Sequence, residues 1–370
     1  MIESRIPDNF EWRFALVGLS ILTLGVLSIY SVTHDLDQAG RLPLYTKQII
    51  WIVIGFAAFL CAMVIDYHRV GRYAYLIYAL TLVLLILVLI GGRSSRGAQR
   101  WFALGPFAFQ PSELAKLVLV LVLAKYFAEV QRSGWLQLVG IPALITAPGL
   151  LLILKQPDLG TAMSFTFIYL SMVLIGGLHA RTLGMGLLFT SMLFPFIWEL
   201  FWTSLHDYQR ERIMTFWDPA IDPAGKGYHA LQSQIAIGSG GFWGKGLDEA
   251  TQSRLKFLPE GHTDFIFAVF AEHWGFVGVL VLFVLFAVLI FLIAEIAFKA
   301  KDELGLLLSA GILAMLGFCL VVNIGMTMGV FPIVGIPLPL MSYGGTTTVT
   351  TMSALGLLLN VKRRRLTLFY

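Results

Sequence analysis

Three groups of residues in this 370-residue chain carry side chains that could act on something. The first lies in Leu258-Pro259-Glu260-Gly261-His262-Thr263-Asp264-Phe265, where a polar knot meets a long apolar run. Asp264 is placed there either to cap the following helix, a role equally open to Thr263, or to take a proton. A carboxylate beside a low-dielectric wall has a raised pKa and can accept a proton from a hydroxyl. Glu260 and His262 crowd it with further titratable groups, and a long polar segment, Thr203–Thr263, converges on it. Asp264 is therefore the leading candidate for chemistry, as a general base.

The second group is Phe109-Gln110-Pro111-Ser112-Glu113-Leu114-Ala115-Lys116, with Ser112 as an expected N-cap and Glu113 as an acid favoured in the first turn. Glu113 and Lys116, three apart, share a helix face and can pair. The pair either neutralises itself and fixes a helix end, or lines a cavity with the lysine near an anionic group. An ionisable residue at mid-span costs about 2.5–3.5 kcal/mol, so intramembrane charges default to a functional reading. The third is Asp158 in the tight turn Gln156-Pro157-Asp158-Leu159-Gly160-Thr161, a natural cap or a site residue. Glu272, about two turns into an apolar run, should find donors or stay protonated. His273 beside it reads as a structural hydrogen bonder. The glycine run Gly238-Ser239-Gly240-Gly241-Phe242-Trp243-Gly244-Lys245-Gly246 could cradle phosphate with backbone N–H groups. It is not a Walker A loop, because Ser239 stands five before Gly244 and Gly246 follows Lys245.

What must position these groups is a membrane bundle. Hydrophobic residues make up 58% and charged residues 13% of the chain, against about 25% charged in soluble domains. Ten apolar runs can cross hydrocarbon about 30 Å thick: Phe14–Val32, Ile49–Ile65, Tyr73–Ile90, Leu114–Phe127, Leu138–Leu154, Ala162–Leu178, Leu183–Trp202, Phe265–Phe298, Leu304–Val330 and Leu340–Leu359. The fourth is short and draws Glu113 and Lys116 into the membrane. The eighth is too long to cross upright, so it tilts, kinks near Gly275 or protrudes. The first is longer than a signal-peptide core, and no Ala-x-Ala-like site follows before Asp35. The expectation is an all-α integral membrane protein of ten transmembrane helices, one domain over 1–370, with a large extracytoplasmic loop, 203–263, between helices 7 and 8.

The positive-inside rule puts both termini in the cytoplasm, with Arg5, Arg13, Arg69, Arg72, Arg132, Arg181, Lys299, Lys301 and Lys362-Arg363-Arg364-Arg365. Arg93, Arg96 and Arg100 then fall outside, against the rule, which suggests an anionic ligand or packing against the large loop. That loop carries His206-Asp207-Tyr208-Gln209-Arg210-Glu211-Arg212, and Tyr228–Ile237 reads as a short surface helix. Pro142, Pro148, Pro195, Pro332, Pro337 and Pro339 break the spans or crowd the outer mouth, consistent with a cavity opening outward. The net charge of +4 fits basic inner flanks and implies no nucleic acid. Cys61 and Cys319 lie within spans and read as small hydrophobes, without a disulfide or metal spacing.

Arg96-Gly97-Ala98-Gln99-Arg100-Trp101, Phe109-Gln110-Pro111-Ser112-Glu113, Gln156-Pro157-Asp158-Leu159-Gly160-Thr161, Gly238-Ser239-Gly240-Gly241, His262-Thr263-Asp264-Phe265-Ile266-Phe267 and Ser342-Tyr343-Gly344-Gly345-Thr346 together resemble the SEDS family in order and spacing, over nearly the whole chain. The run His206–Arg212 looks most like its elongation branch, with a division or sporulation branch as the alternative within the family. The resemblance implies a peptidoglycan glycosyltransferase that polymerises lipid II at the outer face of the cytoplasmic membrane. It implies Asp264 as the catalytic residue, and Glu113, Lys116 and Asp158 in a central cavity. Arg210, Arg212, His262 and Ser342 join them as candidate substrate-binding or cavity residues. No cofactor is fixed; a divalent cation, Mg or Mn, is the one left open. The implied partners are a class B penicillin-binding transpeptidase, elongation machinery of the MreC/MreD type, and lipid II with undecaprenyl diphosphate. Two rival readings stand beside this one. A lipid carrier would need polar groups accessible from both faces, and a scaffold would work without Asp264.

Overall fold

The computed structural model describes residues 12–34, 42–95, 98–105, 107–130, 134–177, 184, 210, 214, 226–247, 250–254, 257–258 and 260–364. Away from water, backbone groups must pair within their own segment, so apolar runs become helices. These are α1 (Trp12–Thr33), α2 (Leu44–Val64), α3 (Tyr67–Arg72), α4 (Ala74–Gly91), α5 (Pro111–Glu129), α6 (Ile141–Lys155, entered through a π turn Leu136–Gly140) and α7 (Leu159–Ile175). After them come α8 (Lys226–Ser239), α9 (Thr251–Arg254), α10 (Ile266–Phe298), α11 (Glu303–Thr327) and α12 (Gly345–Arg364). Among the described residues, six helices are long and apolar enough to cross a membrane: α1, α2, α4, α6 with its π turn, α10 and α11. Shorter or more polar, α5, α7 and α12 overlap the fourth, sixth and tenth expected runs, residues 340–344 of the tenth being irregular rather than helical. The seventh, 183–202, lies outside the described residues except for residue 184. Helix α8 covers the surface helix expected at Tyr228–Ile237.

The all-helical expectation needs one addition. Arg93–Ser95 (β1), Ala98–Leu104 (β2) and Phe107–Phe109 (β3) form a small antiparallel sheet in the order β1-β2-β3, with Phe102 opposite Phe109. It caps the bundle between α4 and α5.

Helix α5 is the axis. Only Leu114, Lys125, Ala128 and Glu129 of its 19 residues are not buried, and α4, α6, α7, α11 and α12 pack around it. A helix apolar on all sides belongs in a core. Its start differs from expectation: Gln110 is the N-cap and Pro111 the first helical residue, so Ser112 lies inside the helix. Proline, with φ preset and no N–H, suits the first helical position and displaces the cap by two residues. In the broken start of α6, three tyrosine hydroxyls donate to carbonyls: Tyr126 to Gln137 O (3.0 Å), Tyr169 to Val139 O (3.1 Å) and Tyr78 to Ile145 O (2.6 Å).

Helix α10 kinks at Gly275 (φ 61°, ψ −162°), which resolves the excess length of the eighth run. The glycine run fills the break. Phe276 N and Val277 N donate to Gly241 O (2.9 Å) and Phe242 O (3.2 Å), while Lys245 N and Gly246 N donate to Glu272 O and His273 O (both 3.0 Å). The phosphate-cradle expectation fails for this reason: the amides of Gly240, Gly241, Gly244, Lys245 and Gly246 all donate to backbone carbonyls. Glu272, with 0% exposure, finds its donors in Gln252 N (2.8 Å) and Ser253 N (2.9 Å) at the start of α9, with Lys245 Nζ at 3.6 Å. It anchors the loop to the kink. His273 bonds Val269 O through Nδ1 (2.6 Å), the structural role expected of it.

Candidate functional site

At one end of the bundle the chemistry-bearing residues meet on a pedestal, the irregular proline-rich segment 331–344 between α11 and α12. The turn 260–265 is fixed against it. Ser342 Oγ accepts from Leu338 N (2.8 Å) and donates to Thr263 O (2.7 Å). Tyr343 N donates to His262 O (2.8 Å), and their rings lie 5.7 Å apart. Asn323, fully buried in α11, donates through Nδ2 to both Asp264 O (3.0 Å) and Ile336 O (2.7 Å). Gln48 of α2 braces the far side, donating to Thr348 Oγ1 (3.0 Å) and accepting from Gly344 N (3.3 Å).

The Asp264 side chain is half-buried and seated on Gly335. Gly335 holds φ +76°, and a Cβ there would stand 3.2 Å from Asp264 Oδ2. The N-cap position of α10 is Phe265, not Asp264. Thr263, the other expected cap, spends its hydroxyl on Glu260 Oε2 (3.0 Å).

A second group of charges borders the same pedestal. Gly160, at the start of α7, packs on it so closely that a Cβ would lie 2.8 Å from Val334 O. Leu159 joins Cys319, Val322, Val334 and Ile336 in one apolar cluster. Asp158 is the N-cap of α7, accepting from Thr161 N (3.2 Å). It also accepts from Gln110 Nε2 (3.2 Å) and pairs with Arg100 Nη1 (3.6 Å). Arg100, on β2, additionally donates to Gln156 O (2.9 Å) and Pro157 O. Arg100 thus binds the α6–α7 turn. Arg96 lies outside the described residues.

Lys116 and Glu113 pair at 2.8 Å, each with 4% exposure. Asp158 and Cys319 lie within electrostatic reach of the Lys116 ammonium. Cys319 and Asn323 are one turn apart on α11, about 6 Å along the axis, so this helix spans from Lys116 to the Asp264 turn. Arg100, Asp158, Lys116 and Glu113 make two cations and two anions, a cluster neutral by itself and enclosed enough to act at low dielectric.

The structure therefore brings Asp264, His262 and Ser342 together and places Glu113, Lys116 and Asp158 across the pedestal from them. Arg210 is half-buried, and Arg212 lies outside the described residues. Sequence reasoning missed Asn323, Gln48, Gln110 and Gly335. A carboxamide within an apolar helix was the available signal for the first two.

The chain matches the FtsW/RodA/SpoVE family, described as cell cycle proteins, over residues 11–366. It is 38% identical over 346 residues to peptidoglycan glycosyltransferase MrdB of Escherichia coli K12, covering 93% of each chain. A chain from a structure of a peptidoglycan synthase complex, described as coordinating polymerization and crosslinking, superposes with a TM-score of 0.81 at 35% identity, covering 96% of this chain and 98% of that one. An aspartate-to-alanine variant of the rod shape determining protein RodA of Thermus thermophilus superposes with a TM-score of 0.71 at 32% identity, covering 97% and 99%.

Proposed function

The chain belongs to the FtsW/RodA/SpoVE family, and from that premise we propose that it is a peptidoglycan glycosyltransferase that polymerises lipid II during cell elongation. Asp264 is the general base. It takes the proton of the acceptor sugar hydroxyl as that oxygen bonds to the donor's anomeric carbon. The bond from that carbon to the diphosphate breaks, undecaprenyl diphosphate leaves, and the α-linked donor becomes a β-1,4 bond. One carboxylate and one displacement suffice. Lys116, Arg210 and Arg212 meet the charge developing on the diphosphate, while Glu113 and Asp158 hold Lys116 and the cavity wall. His262 lines the approach, and Ser342 fixes the turn that carries the base. The single observation that carries this reading is the seat of Asp264, a half-exposed carboxylate on a turn held by Asn323, Ser342 and Tyr343.

Among the described residues no group of three His, Cys, Asp or Glu side chains is placed to hold a metal ion. A divalent cation would add to the positive charge that meets the diphosphate, and no step is routed through it.

Ten spans with both termini cytoplasmic complete the proposal, with the site on the outer face of the cytoplasmic membrane. Gly176, after α7, packs on Phe127 near the end of α5, whereas Ser233 of α8 bonds Thr327 O at the opposite end of the bundle. A crossing between them supports an odd number of spans there. The proposed partners are a class B penicillin-binding transpeptidase and MreC/MreD-type elongation proteins.

The test uses purified protein with its transpeptidase, lipid II and a divalent cation, glycan length being read on a gel. Wild type should yield polymer and a folded Asp264→Asn none. Polymer from Asp264→Asn would remove the proposed base, and lipid II translocation without polymer would favour the carrier.

A further inference from the structure

We propose that Asn323 is a positioning residue for the proposed base: its carboxamide fixes the backbone at Asp264 and sets the carboxylate on its Gly335 seat. The inference rests on the reading of Asp264 as the base, and it assigns Asn323 no contact with substrate.

Asn323 sits in α11 between Val322 and Ile324, with 0% exposure, in a helix that after Glu303 is otherwise apolar and small residues. Its Nδ2 donates to Asp264 O at 3.0 Å and to Ile336 O at 2.7 Å. Both hydrogens of the amide are thereby committed, one to the turn carrying the carboxylate and one to the pedestal. Residue 336 directly follows Gly335, whose Cα faces the Asp264 carboxylate. One side chain thus spans the two backbone segments whose separation defines the seat. A shift of either one moves Asp264 Oδ2 relative to the surface it rests on.

The position of this tie distinguishes it from its neighbours. The other ties, Ser342 to Thr263 O and Tyr343 N to His262 O, act one and two residues before Asp264. Asn323 alone among these three holds the carbonyl of Asp264 itself. Misplacing a reacting group by about 1 Å can cost about 100-fold in rate, which is the scale expected here.

The experiment compares full-length wild type, Asn323→Ala, Asn323→Asp and Asp264→Asn in detergent, each with the transpeptidase partner. Initial rates of lipid II polymerisation are read across substrate concentration and from pH 5.5 to 8.5, with thermal unfolding in parallel. Asn323→Ala should lower kcat about 10- to 100-fold with KM changed less than about threefold. Asn323→Asp places a buried carboxyl against two carbonyl oxygens, which raises its pKa: it donates an O–H while protonated and repels both carbonyls once ionised. Its rate relative to wild type should therefore rise as pH falls, whereas a loss of folding would show no such recovery. Wild-type kcat in folded Asn323→Ala, beside an inactive Asp264→Asn, overturns this inference and leaves the base in place. If Asn323→Ala does not fold, an Asn323→Asp ratio flat with pH overturns it. A polymerising Asp264→Asn overturns the base and this inference together.

Discussion

Lys116 and Glu113 are three residues apart on the central helix, 2.8 Å from each other and each with 4% exposure. Ion pairs so enclosed seldom survive for stability alone: replacing both partners with apolar residues is often neutral or stabilising by about 1–4 kcal/mol. Removing one partner leaves the other charge buried and costs about 3–5 kcal/mol. Structure and function can therefore be separated here. Glu113→Leu alone should unfold at a markedly lower temperature, and the double variant Glu113→Leu with Lys116→Met should recover most of that loss. Neither should polymerise lipid II, because the Lys116 charge facing the diphosphate loses its holder in the single variant and is gone in the double. A stable, active double variant would reduce the pair to a structural fixture. Asp264, Asp158, Glu113 and Lys116 were legible in the sequence because charges inside apolar runs stand out by type. Asn323 and Gly335 were not, because Asp264, the partner that gives both their meaning, lies 59 residues or more away in the chain and only the fold brings it close.

The kink of α10 shows the same limit at the level of elements. The length of the eighth apolar run and the glycine at 275 predict a break, but not what fills it. Freed backbone groups at membrane depth must be re-satisfied, and a glycine run some thirty residues upstream does so. Gly244 sits at φ +84°, and a Cβ there would run into His273 O. Gly244→Ala combines a disfavoured backbone conformation, about 1–3 kcal/mol, with a collision against a backbone that cannot yield. It should lower the unfolding temperature and slow polymerisation, since α10 carries the Asp264 turn at its start. Trp243→Ala is the control next door: its ring is 77% exposed, and its loss should leave unfolding nearly unchanged. Equal effects from the two would mean that the aromatic surface, not the backbone plug, sets the kink.

Among the described residues the charged networks gather at two ends of the bundle. Opposite the pedestal, Asp66 pairs with Arg364 Nη1 (3.0 Å) and His68 Nδ1 (3.0 Å), while His68 Nε2 reaches Asp302 at 3.2 Å. Tyr67 donates to Asp302, and Asn360 donates to the carbonyls of Ala62, Met63 and Ile65. This latch joins the α2–α3 turn, the α10–α11 link and the end of α12. A carrier would couple it to the site; a polymerase working from one face needs it only as a clasp. Burial alone would raise the pKa of Asp66, but the backbone N–H and imidazole of His68 and the Arg364 guanidinium outweigh it and hold the carboxyl below its ordinary value. A depressed carboxylate stabilises the fold above the unfolded pKa of about 4 and loses that contribution as pH falls through the folded value. Asp66→Asn should thus lower stability at pH 7 by about 0.5–1 kcal/mol, the range of partly exposed pairs, and match wild type in strong acid. Its lipid II polymerisation at pH 7, corrected for folded protein, should equal wild type. A loss of polymerisation at unchanged stability would mean that the two ends move together, as a carrier requires and a one-sided polymerase does not.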